Sequence, residues 1–214
     1  MRGDANGRRD KILETAKKLF SEKGYHGVSI PDIAREAGVS VGSIYYIFKN
    51  KEDILLSLLA VVNSIYQQVF SHGNEMTNPV ERLQYVIRGL YRSIDQVTDL
   101  FVILYKDLGT LDRDTCTKIL NMESETARVI ADIIRGGQQK GNFRHDIDAD
   151  LLAFDVVSLG HMWALKKESR LHGWMSLEQY VESQLHFFMS LLIESEEVIV
   201  SCYLSKKRDD KHSL

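Results

Sequence analysis

Residues 29–48, Ser29-Ile-Pro-Asp-Ile-Ala-Arg-Glu-Ala-Gly38-Val-Ser-Val-Gly-Ser-Ile-Tyr-Tyr-Ile-Phe48, decide the fold. Ser29 with Asp32 three positions on, and Pro31 in the first turn, is a helix start. The helix stops at Gly38, where a tight turn favours positive φ, and Val39 plugs the corner. Ser40 then caps a short helix from Val41 to about Ile47. Ile33, Ala34 and Ala37 are small or apolar where two helices must cross closely. Ile44 and Phe48 point the second helix back into a three-helix core. Val41, Gly42, Ser43, Tyr45 and Tyr46 are left facing outward, where the recognition helix of a helix-turn-helix meets base edges.

The chain on either side reads as helix throughout. Upstream, Ile12, Leu13, Ala16, Leu19 and Phe20 mark one apolar face from Arg8 to Lys23, with Gly24 as the stop. Downstream, Asn50 with Asp53 opens a long helix to about Phe70, and the polar stretch Ser71–Thr77 is the first boundary. Asn78-Pro79 starts another helix, carried by Leu83, Val86, Ile87, Leu90 and Ile94. The run Leu100–Leu104 fits a strand by periodicity alone, but with no strand partner in the chain it reads as a short buried helix. Helices over Asp112–Lys140 and Asp148 to about Lys167 follow, and Ser176 with Gln179 caps the last. The expected fold class is therefore all-α, with about nine helices. Residues 6–66 form the helix-turn-helix domain, 67–205 a larger helical domain, and 206–214 a polar tail.

Composition sets bounds on function. Of 214 residues, 44% are hydrophobic and 27% charged, as in an ordinary globular protein. No apolar run approaches the roughly 18 residues of a membrane span, and no secretory signal is visible, so no membrane partner and a cytoplasmic location are expected. Cys116 and Cys202 are too few and too far apart for a disulfide framework or a CxxC site. The net charge of −3 hides an asymmetry: residues 1–53 hold ten Lys/Arg against eight Asp/Glu, the remainder seventeen against twenty-two. A basic head on an acidic body suits a protein whose head alone meets phosphate.

The segments ILETAKKLFSEKGY and IAREAGVSVGSIYYIFKNKEDIL, within about residues 8–56, resemble the DNA-binding domain of the TetR family of bacterial transcriptional regulators. The resemblance implies that the Val41–Ile47 helix enters the major groove of a double-stranded operator, with Val41, Gly42, Ser43 and Tyr45 approaching bases. Ser29, Ser40, Tyr46 and Lys51 would hold phosphates, through hydroxyls, helix-N-terminal amides and one ammonium. Two positions depart from the family pattern. Ser29 stands where Thr is usual, and Ile47 where His or another polar residue is common, which removes any phosphate contact at position 47.

In the body, the helix after Asp148 is apolar nearly all round, broken by Asp155 and Lys166. At about 100° per residue, Ala153, Val157, Gly160 and Ala164 form a stripe of small or β-branched residues. Tyr180, Gln184, Phe188 and Leu191 give the last helix a matching face. The resemblance implies that these two helices pair with their symmetry mates in a homodimer; the alternative is that both are core of a monomer. It also implies a pocket for a small apolar effector. Candidate lining residues are Tyr85, Arg88, Tyr91, Phe101, Tyr105, Met122, Phe154, Ser158, His161 and Met162, each with an alternative reading as core or helix surface. The spacing after Gly141 resembles TetR-type regulators that respond to fatty acyl-CoA.

An enzyme is the rival from another class. The chain lacks GxSxG, GxxxxGK(S/T) and GxGxxG, and its seven histidines show no HxxxH or HExxH pairing. No catalytic residue, metal or cofactor is expected, and Glu194, Glu196 and Glu197 read as a solvated face. A regulator controlled by a protein partner or by thiol oxidation is the other alternative, although neither cysteine has a flanking cationic cluster to lower its pKa. The sequence thus points to a DNA-binding regulator, a repressor that binds a palindromic operator as a homodimer and is released by an apolar ligand.

Overall fold

The computed structural model describes residues 2–166 and 173–193, with side chains from Gly7 onward. The expected helix end near Lys167, Cys202, the acidic cluster at 194–197, the domain limit at 205 and the tail 206–214 all lie outside these residues. Among them are nine α-helices: α1 (Arg2–Lys23), α2 (Ile30–Ala37), α3 (Val41–Ile47), α4 (Lys51–Gly73), α5 (Pro79–Gln96), α6 (Thr98–Asp107), α7 (Arg113–Gln139), α8 (Ala149–Leu165) and α9 (Leu177–Leu192). A 3-10 turn at Leu108–Thr110 joins α6 to α7, and no β-strand occurs among the described residues.

The element borders follow local chemistry. Ser29 and Asp32 form a reciprocal capping box on α2, and Ser176 and Gln179 form another on α9. Asn50 accepts from the Asp53 amide at 2.8 Å at the start of α4, and Asp148 accepts from the amides of Asp150 and Leu151 at the start of α8. Helix α1 begins six residues earlier than the sequence suggests, since neither a proline nor a strong capping residue precedes Arg8 to stop it. The Leu100–Leu104 run is helical, and Leu100, Phe101, Ile103 and Leu104 are buried in α6.

The described residues divide into two compact units, one within Met1–Ile65 and Gln96–Glu123, the other within Tyr66–Asp95 and Ser124–Leu214. A simple split at residue 66 therefore misses that α6 and the start of α7 belong with the head. In the head, Ile12, Ala16, Phe20, Ile33, Ala37, Ile44, Phe48 and Ile54 form the core, and the Phe20 and Tyr25 rings meet at 5.2 Å between centroids. In the body, α8 and α9 run antiparallel. The Tyr180 hydroxyl donates to the Leu159 carbonyl at 2.8 Å, and the Arg144 amide donates to the Leu192 carbonyl at 2.8 Å at the other end of α9.

Helix α4 is long and apolar enough to cross a membrane by length and composition alone. Its Ile54, Leu55, Leu58, Leu59, Val62, Tyr66 and Phe70 are buried against protein, the pattern of a core helix.

Candidate nucleic-acid interface

The helix-turn-helix is built as its sequence dictates. Gly38 closes α2 at φ 65°, ψ 37°, a left-handed conformation in which a Cβ would be strained. Val39 donates its amide to the Ala34 carbonyl at 3.0 Å, which fixes the turn. Ser40 Oγ then accepts from the Ser43 amide at 3.0 Å and lies 2.8 Å from Ser43 Oγ. Ile44 is fully buried, so the phase of α3 is set and its other faces turn outward. Tyr46 is 88% exposed and Tyr45 56% exposed. Val41 and Gly42 are exposed beside them, and Ser43 is half-buried. Two large aromatic rings left in solvent on a seven-residue helix, held rigid by caps at its start and a buried anchor at its centre, form a contact surface.

Ser29 is exposed but engaged. Its hydroxyl donates to Asp32 Oδ2 at 2.5 Å while its amide donates to the same carboxylate at 3.1 Å. These bonds, with Arg35 at 2.6 Å, pull the Asp32 carboxyl down to about 2.

Lys51 differs most from expectation. Its ammonium donates to the carbonyls of Tyr25 and Val28 at 2.8 and 2.9 Å and sits 4.1 Å from the centroid of the Tyr25 ring. Desolvation in this half-buried site lowers its pKa, with Glu52 and Asp107 acting the other way. The ammonium thus clamps the turn between α1 and α2, a structural task in place of the phosphate contact expected from the sequence. The same turn is held from α6 and the 3-10 segment. The Tyr25 amide donates to Asp107 Oδ2 at 3.1 Å, and a ring nitrogen of His26 lies 2.5 Å from Thr110 Oγ1. Sequence reasoning missed this clamp because its partners are separated by 82 and 84 residues.

The chain is matched over residues 12–58 by the model of bacterial regulatory proteins of the tetR family, and over 76–165 by the tetracyclin repressor-like C-terminal domain. It is 37% identical over 179 residues to the HTH-type transcriptional regulator HbdR of Aromatoleum sp. strain CIB, spanning 83% of this chain and 77% of that one. The chain belongs to the TetR family of bacterial transcriptional regulators. A second TetR-type relative is the HTH-type transcriptional repressor KstR2 of Mycolicibacterium smegmatis, 30% identical over 197 residues, 88% of this chain and 92% of that one. The fold matches that of the transcriptional regulator FadR from Bacillus subtilis in complex with stearoyl-CoA, with a TM-score of 0.73 at 24% identity over 85% of this chain and 97% of that one. These relatives are transcriptional regulators, not enzymes.

The residues expected at a TetR-type dimer interface are placed differently. Ala153, Val157, Gly160, Ala164, Tyr180 and Phe188 are buried inside the protomer and offer no surface to a partner. A Cβ on Gly160 would lie 2.8 Å from Ile94 Cδ1 and 2.9 Å from Tyr91 Cε1, so the small-residue stripe is where α8 crosses α5. Gln184 and Leu191 are half-buried, and Gln184 Oε1 has no hydrogen-bond partner among the described residues. The apolar side chains that do face outward are Leu151 (61% exposed), Phe154 (57%) and Met162 on α8 and Phe187 (49%) on α9. Because α8 is apolar nearly all round, sequence periodicity gave its direction no phase.

The candidate pocket residues fall in both units. Phe101 is buried, Met122 half-buried and Tyr105 exposed in the head, where burial and the nearby Glu123 carboxylate raise the Tyr105 phenol. In the body, Tyr91 and His161 are buried, and the Tyr91 hydroxyl donates to the Val156 carbonyl at 2.9 Å. Tyr85 and Ser158 are half-buried, and Arg88 forks onto Glu182 at 2.8 and 3.1 Å. Phe154 and Met162, by contrast, face outward.

Proposed function

We propose that this TetR-family protein is a repressor that binds a palindromic DNA operator as a homodimer and releases it when a small apolar acyl-CoA occupies the body. The observation that carries the DNA reading is the pair Tyr45 and Tyr46, solvent-exposed on a capped, anchored α3 with Val41 and Gly42 beside them. Val41, Gly42, Ser43 and Tyr45 read base edges, while Tyr46 and the hydroxyls of Ser29 and Ser40 position the backbone.

Homodimerisation is supported by the exposed apolar face of α8 and α9, with Leu151, Phe154, Met162, Phe187 and the half-buried Leu191 in place of the small-residue stripe. Two copies of α3 then read two half-sites, as an isologous dimer requires. The effector class is supported by the stearoyl-CoA bound to the B. subtilis regulator of the same fold. Among the side chains proposed to line its site, Tyr85, Tyr91, Ser158 and His161 in the body remain turned inward or half-inward. An effector of this kind acts only by preferring the conformation that binds operator poorly. The test is titration of short-, medium- and long-chain acyl-CoAs into the protein bound to labelled duplex. Release by one chain-length class supports the reading. Undiminished binding with every acyl-CoA removes the effector assignment.

A further inference from the structure

The first turns of α1 carry two cations that lie beside the recognition helix. The Arg9 guanidinium stands 5.6 Å from the centroid of the Phe48 ring, and Phe48 is the residue that ends α3. A Cβ placed on Gly38, in the turn that leads into α3, would lie 3.9 Å from Lys11 Nζ. One positive charge is therefore at each end of a helix about 10 Å long at 1.5 Å per residue. A major groove is about 12 Å wide and walled by phosphates on both sides. A helix lying in it brings groups at its two ends toward those walls.

Other cations of the head are engaged elsewhere: Lys18 pairs with Glu36 at 3.0 Å, Arg35 with Asp32 at 2.6 Å, and Lys51 with two carbonyls. Arg9 and Lys11 form no ion pair among the described residues. Packing on Phe48 also holds the Arg9 guanidinium in place before any ligand arrives, which reduces the entropy lost on binding.

We propose that Arg9 and Lys11 of α1 are DNA-phosphate contacts that flank α3 and carry sequence-independent affinity. The proposal rests on the reading of α3 as the DNA-contacting helix. It makes α1 part of the interface and supplies the charge that Lys51 spends on the protein's own backbone.

The experiment is the salt dependence of duplex binding by the full chain and by Arg9→Gln, Lys11→Gln, Arg9→Lys and Lys23→Gln. Lys23 is in the last turn of α1, about 21 Å along the axis from Arg9, and serves as the control. Each lost contact flattens the slope of log K against log salt by about 0.9, so by about 1.8 when both protomers of a dimer carry the change. At 0.15 M salt that corresponds to roughly thirtyfold weaker binding, relative to a 1 M reference. Arg9→Gln and Lys11→Gln are expected to show this with unchanged unfolding midpoints and unchanged sequence preference, while Arg9→Lys and Lys23→Gln keep the full slope. Steep wild-type binding with the same slope in both Gln variants, or an equal loss in Lys23→Gln, overturns the α1 assignment alone. Wild-type binding that is weak and insensitive to salt overturns the reading of α3 as well.

Discussion

Lys51 Nζ donates to the Tyr25 carbonyl at 2.8 Å while lying 4.1 Å from the centroid of that residue's ring. Helix α4 thereby grips the turn that feeds α2, and the recognition helix hangs from α2 through the Gly38 turn. Replacing Lys51 with Ala leaves two carbonyls and a buried ring without their cation. Hydrogen bonds from charged groups are worth about 1.5–3 kcal/mol each when buried, and this site is half-buried, so the expected loss is about 1–3 kcal/mol in all. Denaturant unfolding measures it. The salt slope of DNA binding should stay at its wild-type value; a slope flattened by about one unit would return Lys51 to the phosphate contacts.

Gly160 is predicted to resist even a methyl group. A Cβ there meets Ile94 Cδ1 at 2.8 Å and Tyr91 Cε1 at 2.9 Å, and the Tyr91 hydroxyl is tied to the Val156 carbonyl. Gly160→Ala must displace a buried ring, at a cost of about 1–3 kcal/mol. The effect should appear as a lower melting temperature at every protein concentration. A melting temperature that fell only at low concentration would put Gly160 at the subunit contact.

Phe154 is 57% exposed on α8 and separates the two faces of that helix functionally. Phe154→Asp is expected to leave the protomer folded and to yield a monomer in sedimentation, because the charge is tolerated in water but not in an apolar contact. A dimer that persists would move the subunit contact away from α8.

The capping box of α2 has a pH signature. The Asp32 carboxyl titrates at about 2 in the folded protein, below its ordinary value, because the Ser29 hydroxyl and amide and the Arg35 guanidinium favour its charged form. A depressed folded value adds stability that is fully present above the unfolded value of about 3.9 and is lost as pH falls toward 2. Asp32→Asn should remove that part of the acid dependence. Chemical unfolding between pH 5 and 2 compares the two, and parallel profiles would show that Asp32 is not linked to folding.

The features legible in the sequence are those written in a few neighbouring residues. Ser29 with Asp32 and Ser176 with Gln179 announce their helices, and Gly24, Gly38 and Gly141 end theirs at φ 74°, 65° and 73°. The outward face of α3 was legible for the same reason, since Ile44 and Phe48 leave a single inward direction. The inward face of α8 was not: a helix apolar on nearly every side has no preferred phase, and only the packing of Tyr91 and Ile94 on Gly160 reveals it. The clamp on Tyr25 was equally hidden, since Lys51 is a plausible phosphate ligand until the two carbonyls that claim it are located.

The central claim, sequence-specific DNA recognition by α3, is tested most directly by selecting bound duplexes from a random pool with the wild-type protein and with Tyr45→Ala. The account predicts a palindromic consensus for the wild type and a changed consensus, at the same half-site spacing, for the variant. A pool that shows no enriched sequence, or an identical consensus for both proteins, would contradict it.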